Sequence, residues 1–208
     1  LSDSLKDNNQ GVLIIISAPS GCGKTTIVER LLKRNPDWSR SISVTTRKPR
    51  IGEKTGIDYQ FVSHDEFSKM DANGQLLESA QVFDQYYGTP NEFVRKKLSE
   101  GFRVVLAIDV QGMKKIIQRA DAKLPVFSIF VLPPSLKILR ERLEGRKTDT
   151  SEQIERRLAI AQDEIKHASE YNCTVMNQQI EQTVSEIESL VKEFEKKRRN
   201  KSNAIRTS

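Results

Sequence analysis

Val12-Leu13-Ile14-Ile15-Ile16-Ser17-Ala18-Pro19-Ser20-Gly21-Cys22-Gly23-Lys24-Thr25-Thr26 joins an unbroken apolar run to a glycine-rich turn. The run at 12–16 predicts a strand buried on both faces, since a half-exposed strand would alternate. After Gly23, Ile27, Val28, Leu31 and Leu32 fall on one helical face, so a helix follows. The turn between strand and helix has the spacing of a phosphate-binding loop. Such a loop needs glycines, so that consecutive backbone N–H groups can turn inward, and a helix N-terminus whose dipole favours anions. Gly21 and Gly23 supply that freedom, Lys24 is placed to reach terminal phosphates, and the Thr25 hydroxyl is placed to coordinate Mg²⁺. Ala18 stands where the strict motif has glycine, which requires a negative φ there. Cys22 reads as a spacer; a helix N-terminus can activate a thiol, but nothing beside it asks for a nucleophile.

Working outward, strands alternate with amphipathic helices, the pattern of an α/β fold with a parallel sheet flanked by helices. Residues 104–108 form a second continuous apolar run and 126–132 nearly a third. Leu136, Leu139 and Leu143 mark a helix closed by Gly145 as its C′ residue. Ile154, Leu158, Ala161, Ile165 and Ala168 mark another over 151–169, and Ile180, Val184, Ile187, Leu190, Val191 and Phe194 a last one. Two capping boxes set helix starts: Ser63 with Glu66, and Thr89 with Glu92, where Pro90 takes the first helical position. Between about 41 and 88 the composition shifts to Thr, Arg, Gly and Tyr with short β-like runs, predicting a small β-containing lobe inserted into the core. No internal repeat is present.

The 208 residues suit one domain, or a core with a small inserted lobe. Two cysteines, Cys22 and Cys173, exclude a disulfide framework and suit a reducing, cytoplasmic setting. Residues 1–10 are polar, read here as a disordered extension without a signal core, and the longest apolar run is too short to cross a bilayer. Because the sequence opens on Leu1 and not Met, residues upstream of it are expected. Of the 34 Lys and Arg, six (Lys196, Lys197, Arg198, Arg199, Lys201 and Arg206) lie in the last 13 residues, leaving 28 against 28 Asp and Glu. The net charge of +6 therefore belongs to a basic C-terminal tail at 196–208, and a nucleic-acid partner is not expected from a neutral body.

Within the inserted lobe, Ser43-Val44-Thr45-Thr46-Arg47-Lys48-Pro49-Arg50 sets two guanidinium groups three residues apart, and Tyr59, Tyr86 and Tyr87 add phenols. Arginine forks match phosphate oxygens in bidentate fashion, so this group suits a monophosphate dianion. With these residues the chain resembles the guanylate kinase family, through SAPSGCGKTT (17–26), SVTTRKPRIGE (43–53), GIDYQFVS (56–63), LLESAQV (76–82), YYGT (86–89), AIDVQG (107–112) and LEGRKTDTSEQIERR (143–157). The likeness spans roughly 11–195.

The resemblance implies a P-loop NTPase core with a GMP-binding lobe at about 41–88 and a helical lid at about 143–157. The implied reaction is transfer of the γ-phosphoryl of ATP to GMP with Mg²⁺, in purine nucleotide metabolism. It places Ser20, Gly21, Cys22, Gly23, Lys24, Thr25 and Thr26 around the ATP phosphates, with Arg142 over them and Asn177 on the adenine side. Ser43, Arg47, Arg50, Tyr59 and Tyr87 match contacts around the GMP phosphate; Glu78 and Thr89 match guanine contacts. Lys24, Arg47, Arg146 and Arg157 are the implied catalytic cations. The guanine assignment agrees with chemistry: N1–H and N2–H₂ form a donor pair that an acceptor-only carboxylate can take, and adenine lacks it.

Two positions depart from the family pattern. Ala107 occupies a usually acidic place in Ala107-Ile108-Asp109, leaving Asp109 to serve the Mg²⁺ water shell, the guanine site, or both. Gln178 follows Asn177 where the family often has Asp. His64, inside a capping box, and His167, on a helix face, are not bases for this chemistry. A GMP phosphate is already an anionic nucleophile, so positioning and charge neutralisation carry the reaction. The rival readings are a catalytically reduced guanylate-kinase-like binding module, against which Gly23-Lys24-Thr25 argues, and a kinase with another acceptor, against which Glu78 argues. A homo-oligomer stays open.

Overall fold

The computed structural model describes residues 11–82, 84–119, 124–145 and 150–206. The expected N-terminal extension at 1–10 and the lid residue Arg146 lie outside them.

Strand β1 (Leu13–Ser17) leads through helix α1 (Lys24–Arg34) to the short strand β2 (Trp38–Arg40). The chain then leaves the core and returns through helix α3 (Asn91–Ser99) to β7 (Arg103–Ala107), α4 (Val110–Arg119) and β8 (Val126–Leu132). Helices α5 (Leu136–Glu144) and α6 (Ser151–Lys166) precede β9 (Cys173–Met176) and α7 (Ile180–Arg206). The five core strands form one parallel sheet in the order β2-β7-β1-β8-β9. Because β2 lies on one side of β1 and β8 on the other, the winding direction reverses beside β1, where open α/β sheets place ligands at the carboxyl ends of their strands.

Burial on both faces follows from the residues of β1 and Val12 just before it. Val12, Ile14 and Ile16 enter one core with Ile27, Leu31, Val184, Ile187 and Val191 of α1 and α7. Leu13 and Ile15 enter the opposite core with Val94, Leu98, Met113 and Ile116 of α3 and α4. The period of 2 in a strand sends alternate residues to opposite faces, and helices cover both.

The excursion between β2 and β7 holds β3 (Val44–Thr45), β4 (Gln60–Phe61), α2 (His64–Ala72), β5 (Leu76–Val82) and β6 (Gln85–Pro90). Its strands make a second sheet in the order β4-β3-β6-β5 around Val44, Phe67 and Leu76. The Ser63–Glu66 capping box forms as read, and a box that the reading missed, Thr150 with Gln153, starts α6.

Three local expectations are corrected. Pro90, not Thr89, is the N-cap of α3 and carries no side-chain cap bond; Thr89 belongs to β6, and its hydroxyl is claimed by a buried carboxylate. Gly145 closes α5 at φ −61°, right-handed instead of the left-handed turn expected of a C′ glycine, because its N–H still bonds Glu141 O in helical fashion (3.0 Å). The last helix does not stop before the basic run but continues to Arg206. That run contains no Pro or Gly, and Lys197 pairs with Glu193 one turn back at 2.8 Å, so nothing ends the helix earlier.

Candidate active site

At the carboxyl end of β1 the chain turns through Gly21 (φ 89°) and Gly23 (φ 84°), and Gly23 caps α1 in the left-handed region. Side chains here would be strained by φ and would press on their neighbours. A Cβ on Gly21 would stand 2.8 Å from Leu143 Cδ2, and one on Gly23 would stand 3.0 Å from Asn177 Nδ2. Lys24, the first residue of α1, folds back so that Nζ donates to Ile108 O at 3.4 Å. Burial pushes its pKa below the ordinary lysine value, against the attraction of Glu164 and Asp109. Ser20, Thr25 and Thr26 are exposed, with Thr25 on the first turn, where a hydroxyl can meet a metal-bound triphosphate. Cys22 has both donors engaged: its N–H bonds Pro19 O (3.0 Å) and its thiol Val131 O (3.6 Å). Burial lifts that thiol to about 11, so it stays protonated.

The residue after Ile108 begins the other half of the site. Asp109 Oδ1 accepts from Gly112 N at 2.8 Å. Glu78, on β5 of the inserted sheet and only 3 % exposed, accepts from the Thr89 hydroxyl at 2.7 Å. A Cβ on Gly112 would lie 3.0 Å from Glu78 Oε2 and 3.4 Å from Asp109 Oδ1, so the two carboxylates converge on this glycine. Burial raises the Glu78 pKa to about 7; the Thr89 hydrogen bond opposes the rise, and Asp109 adds to it.

Further along the lobe, Arg47 Nη2 donates to both oxygens of Glu53 (2.9 Å each) and Nη1 to Lys48 O (2.7 Å). Its guanidinium lies 5.3 Å from the Tyr59 ring centre, and Tyr59 meets Tyr87 edge-on at 6.0 Å. Arg50 is exposed and Ser43 half-buried, and the Ser43 carbonyl accepts from Gln60 N (2.9 Å) where β3 meets β4. One wall therefore presents cations and phenols, and the next a carboxylate pair, Glu78 buried and Asp109 half-buried. Beside that pair stands a lysine on a glycine loop.

A phosphate-loop sheet with this inserted lobe is matched by the family model described as guanylate kinase, over residues 10–194. The chain belongs to the guanylate kinase family. It is 47% identical over 183 residues to the guanylate kinase of Wolbachia sp. subsp. Brugia malayi (88% of this chain, 93% of the relative). To that of Rickettsia prowazekii it is 44% identical over 187 residues (90% and 93%). The crystal structure of guanylate kinase from Anaplasma phagocytophilum superposes with a TM-score of 0.74 at 35% identity, covering 88% of this chain and 86% of that one.

Two residues that the guanylate kinase resemblance sets near ATP are seen in other company. Asn177 is 1 % exposed, and its amide donates to Cys22 O (2.8 Å) and accepts from Thr183 (3.2 Å). Arg142 Nη2 donates to the Asn177 carbonyl at 3.2 Å. Arg157 is half-buried on α6. Two residues of the site went unread in the sequence. Glu53 anchors Arg47, and its three-residue spacing from Arg50 is the same as that between the two arginines, which was its available signal. Thr183 had no local signal, since it reaches Asn177 only through the packing of α7 on the strand ends.

Proposed function

We propose that the chain, as a member of this family, transfers the γ-phosphoryl of ATP to GMP with the following division of labour. Lys24 and the N–H groups at the start of α1 hold and neutralise the ATP phosphates. Arg47 and Arg50, with Tyr59 and Tyr87, take the GMP phosphate, Ser43 stands beside it, and Glu78 with Thr89 and Asp109 reads guanine. Arg142, Arg146 and Arg157 close over the transferring group. The carrying observation is that Glu78 and Asp109 converge on Gly112 while Lys24 bonds Ile108 O; this supports a reading in which the two substrate sites meet at adjacent residues of one strand end.

Among the described residues no cluster of three or more His, Cys, Asp or Glu could cage a metal. The donor set, the exposed Thr25 hydroxyl and at most the Asp109 carboxylate, fits Mg²⁺ all the same, because that ion takes one or two protein ligands and completes its shell with phosphate oxygens and water. Held there, it would supply positive charge to neutralise the nucleotide phosphates. No general base is needed; the protein's part is to align the GMP phosphate with the γ-phosphoryl and to exclude water.

No helix among the described residues is long and apolar enough to cross a membrane. Both cysteines are free, which supports a cytoplasmic enzyme acting on small molecules. The test is ADP release with GMP, AMP, UMP and dTMP as separate acceptors. GMP should be used at a kcat/KM at least about a hundredfold above AMP; equal use of all four would sink the guanine assignment.

A further inference from the structure

We infer that Asn177 is a positioning residue of the phosphate loop and not a reader of adenine. The inference rests on the loop at Lys24 holding the ATP phosphates. A side chain that selects a base must present a polar atom to it, and Asn177 presents almost no surface at 1 % exposure. Its groups are spent inside the protein: backbone N–H on Leu132 O (2.8 Å), Nδ2 on Cys22 O (2.8 Å), Oδ1 on the Thr183 hydroxyl (3.2 Å) and its carbonyl on Arg142 (3.2 Å).

The bond to Cys22 O has a direct consequence for the loop. Cys22 C=O and Gly23 N–H belong to one planar trans peptide unit and point in opposite directions. A loop that aims N–H groups at an anion must aim the partner carbonyls into the protein, where each needs a donor. Asn177 supplies that donor, and so turns the Gly23 N–H towards the loop interior. Among the described residues this N–H has no protein acceptor. The left-handed Gly23, whose Cβ position lies 3.0 Å from Asn177 Nδ2, lets the amide pack this close. Thr183 on the first turn of α7 fixes the amide's orientation, and the Arg142 contact ties the end of α5 to the same residue.

The test compares Asn177→Ala and Asn177→Asp with the unaltered protein for ATP, GTP and inorganic tripolyphosphate, the last measured as a competitor of ATP. Asp keeps an acceptor for Thr183 but loses the amide donor. Expected is a loss on the order of tenfold for ATP and the same loss for tripolyphosphate, the size of one hydrogen bond. The ATP-to-GTP ratio should not move, and neither should GMP binding. Thr183→Val, which leaves the donor in place but loosens it, should show the same even pattern at smaller size and serves if both Asn177 variants fold poorly. A variant that loses ATP but keeps tripolyphosphate, or that shifts the ATP-to-GTP ratio several-fold, would overturn the inference in favour of adenine reading. Unchanged affinity for all three would overturn it outright. Failure of GMP turnover in the unaltered protein would instead count against the acceptor assignment, leaving the tripolyphosphate comparison intact.

Discussion

The two halves of the active site are built on opposite principles. On the core sheet the loop proposed for the ATP phosphates is made largely of backbone, with glycine freedom, a helix N-terminus and one lysine. On the inserted sheet almost everything is side chain: Arg47, Tyr59, Tyr87, Glu78 and Thr89 come from four segments that strand pairing brings together. A backbone site recognises charge and spacing and is indifferent to the group beyond the phosphates. A side-chain site can name its ligand, but only by holding polar groups where their isolation is costly. Glu78 shows that cost in a carboxyl raised to about 7 by burial.

The contrast is broken most severely at Lys24. Lys24→Met should lower kcat by at least about a hundredfold, the scale for removal of one transition-state stabiliser, while GMP affinity stays within about twofold because the lobe is a separate sheet. Loss of GMP binding as well would show that the two sites are not independent.

Glu78→Gln should cost GMP about 2 kcal/mol in kcat/KM, roughly thirtyfold, and narrow the preference for GMP over AMP while ATP affinity holds. An amide offers one acceptor oxygen and an NH₂ that opposes the guanine donors. The raised carboxyl makes a second, opposite prediction for stability. A carboxyl whose folded pKa lies above its unfolded one contributes stability that is full below the unfolded value and is lost as pH rises through the folded value. The unaltered protein should therefore lose ground to Glu78→Gln between about pH 4.5 and 7, so that the variant melts higher at pH 8 and the gap closes by pH 5. In the same window KM for GMP should rise on acidification, because a protonated Glu78 cannot accept from both guanine donors. Melting curves that keep a constant gap across this range would show that Glu78 is not the titrating group.

Glu53 sharpens the comparison inside the lobe. It engages Nη2 of Arg47 and also accepts from Arg50 N at 2.7 Å, which fixes the arginine's orientation; the Arg47 hydrogen bond in turn holds the Glu53 carboxyl below its ordinary range. Glu53→Gln should raise KM for GMP by about fivefold to tenfold, the scale of a charge-assisted bond, and leave KM for ATP alone. A lower KM for GMP would mean that Glu53 competes with the phosphate instead of aiming the arginine.

The smallest effect is expected at the end of α7. A stop after Glu195 keeps the Arg103–Glu195 pair (2.7 Å) and the stacking of Phe194 on Phe127, so the rate with saturating ATP and GMP should change by less than about twofold. Greater loss at an unchanged melting temperature would give the basic turns a role in the reaction.

Much of this protein is determined by its sequence alone. The strand, loop and helix at 12–34 are local features: continuous apolarity, glycine and a 3.6-residue period act within a few residues, so the phosphate loop and the parallel α/β class are legible without a structure. The arginine and tyrosine segments of the lobe were legible as chemistry and as a family resemblance. Other features depended on contacts distant in sequence. Strand β2, three residues at the sheet edge, has too few positions to show a pattern and exists because β7 pairs with it. Thr89 reads locally as a helix cap; it binds Glu78 instead because the two residues face each other across β5 and β6, and a buried carboxylate without a donor would cost more than a missing cap. Asn177 reads as a residue near a nucleotide base, yet the packing of β9 and α7 against the loop buries it 155 positions away from Cys22 in sequence. Such pairings depend on which strands lie side by side, and that order is a property of the folded sheet.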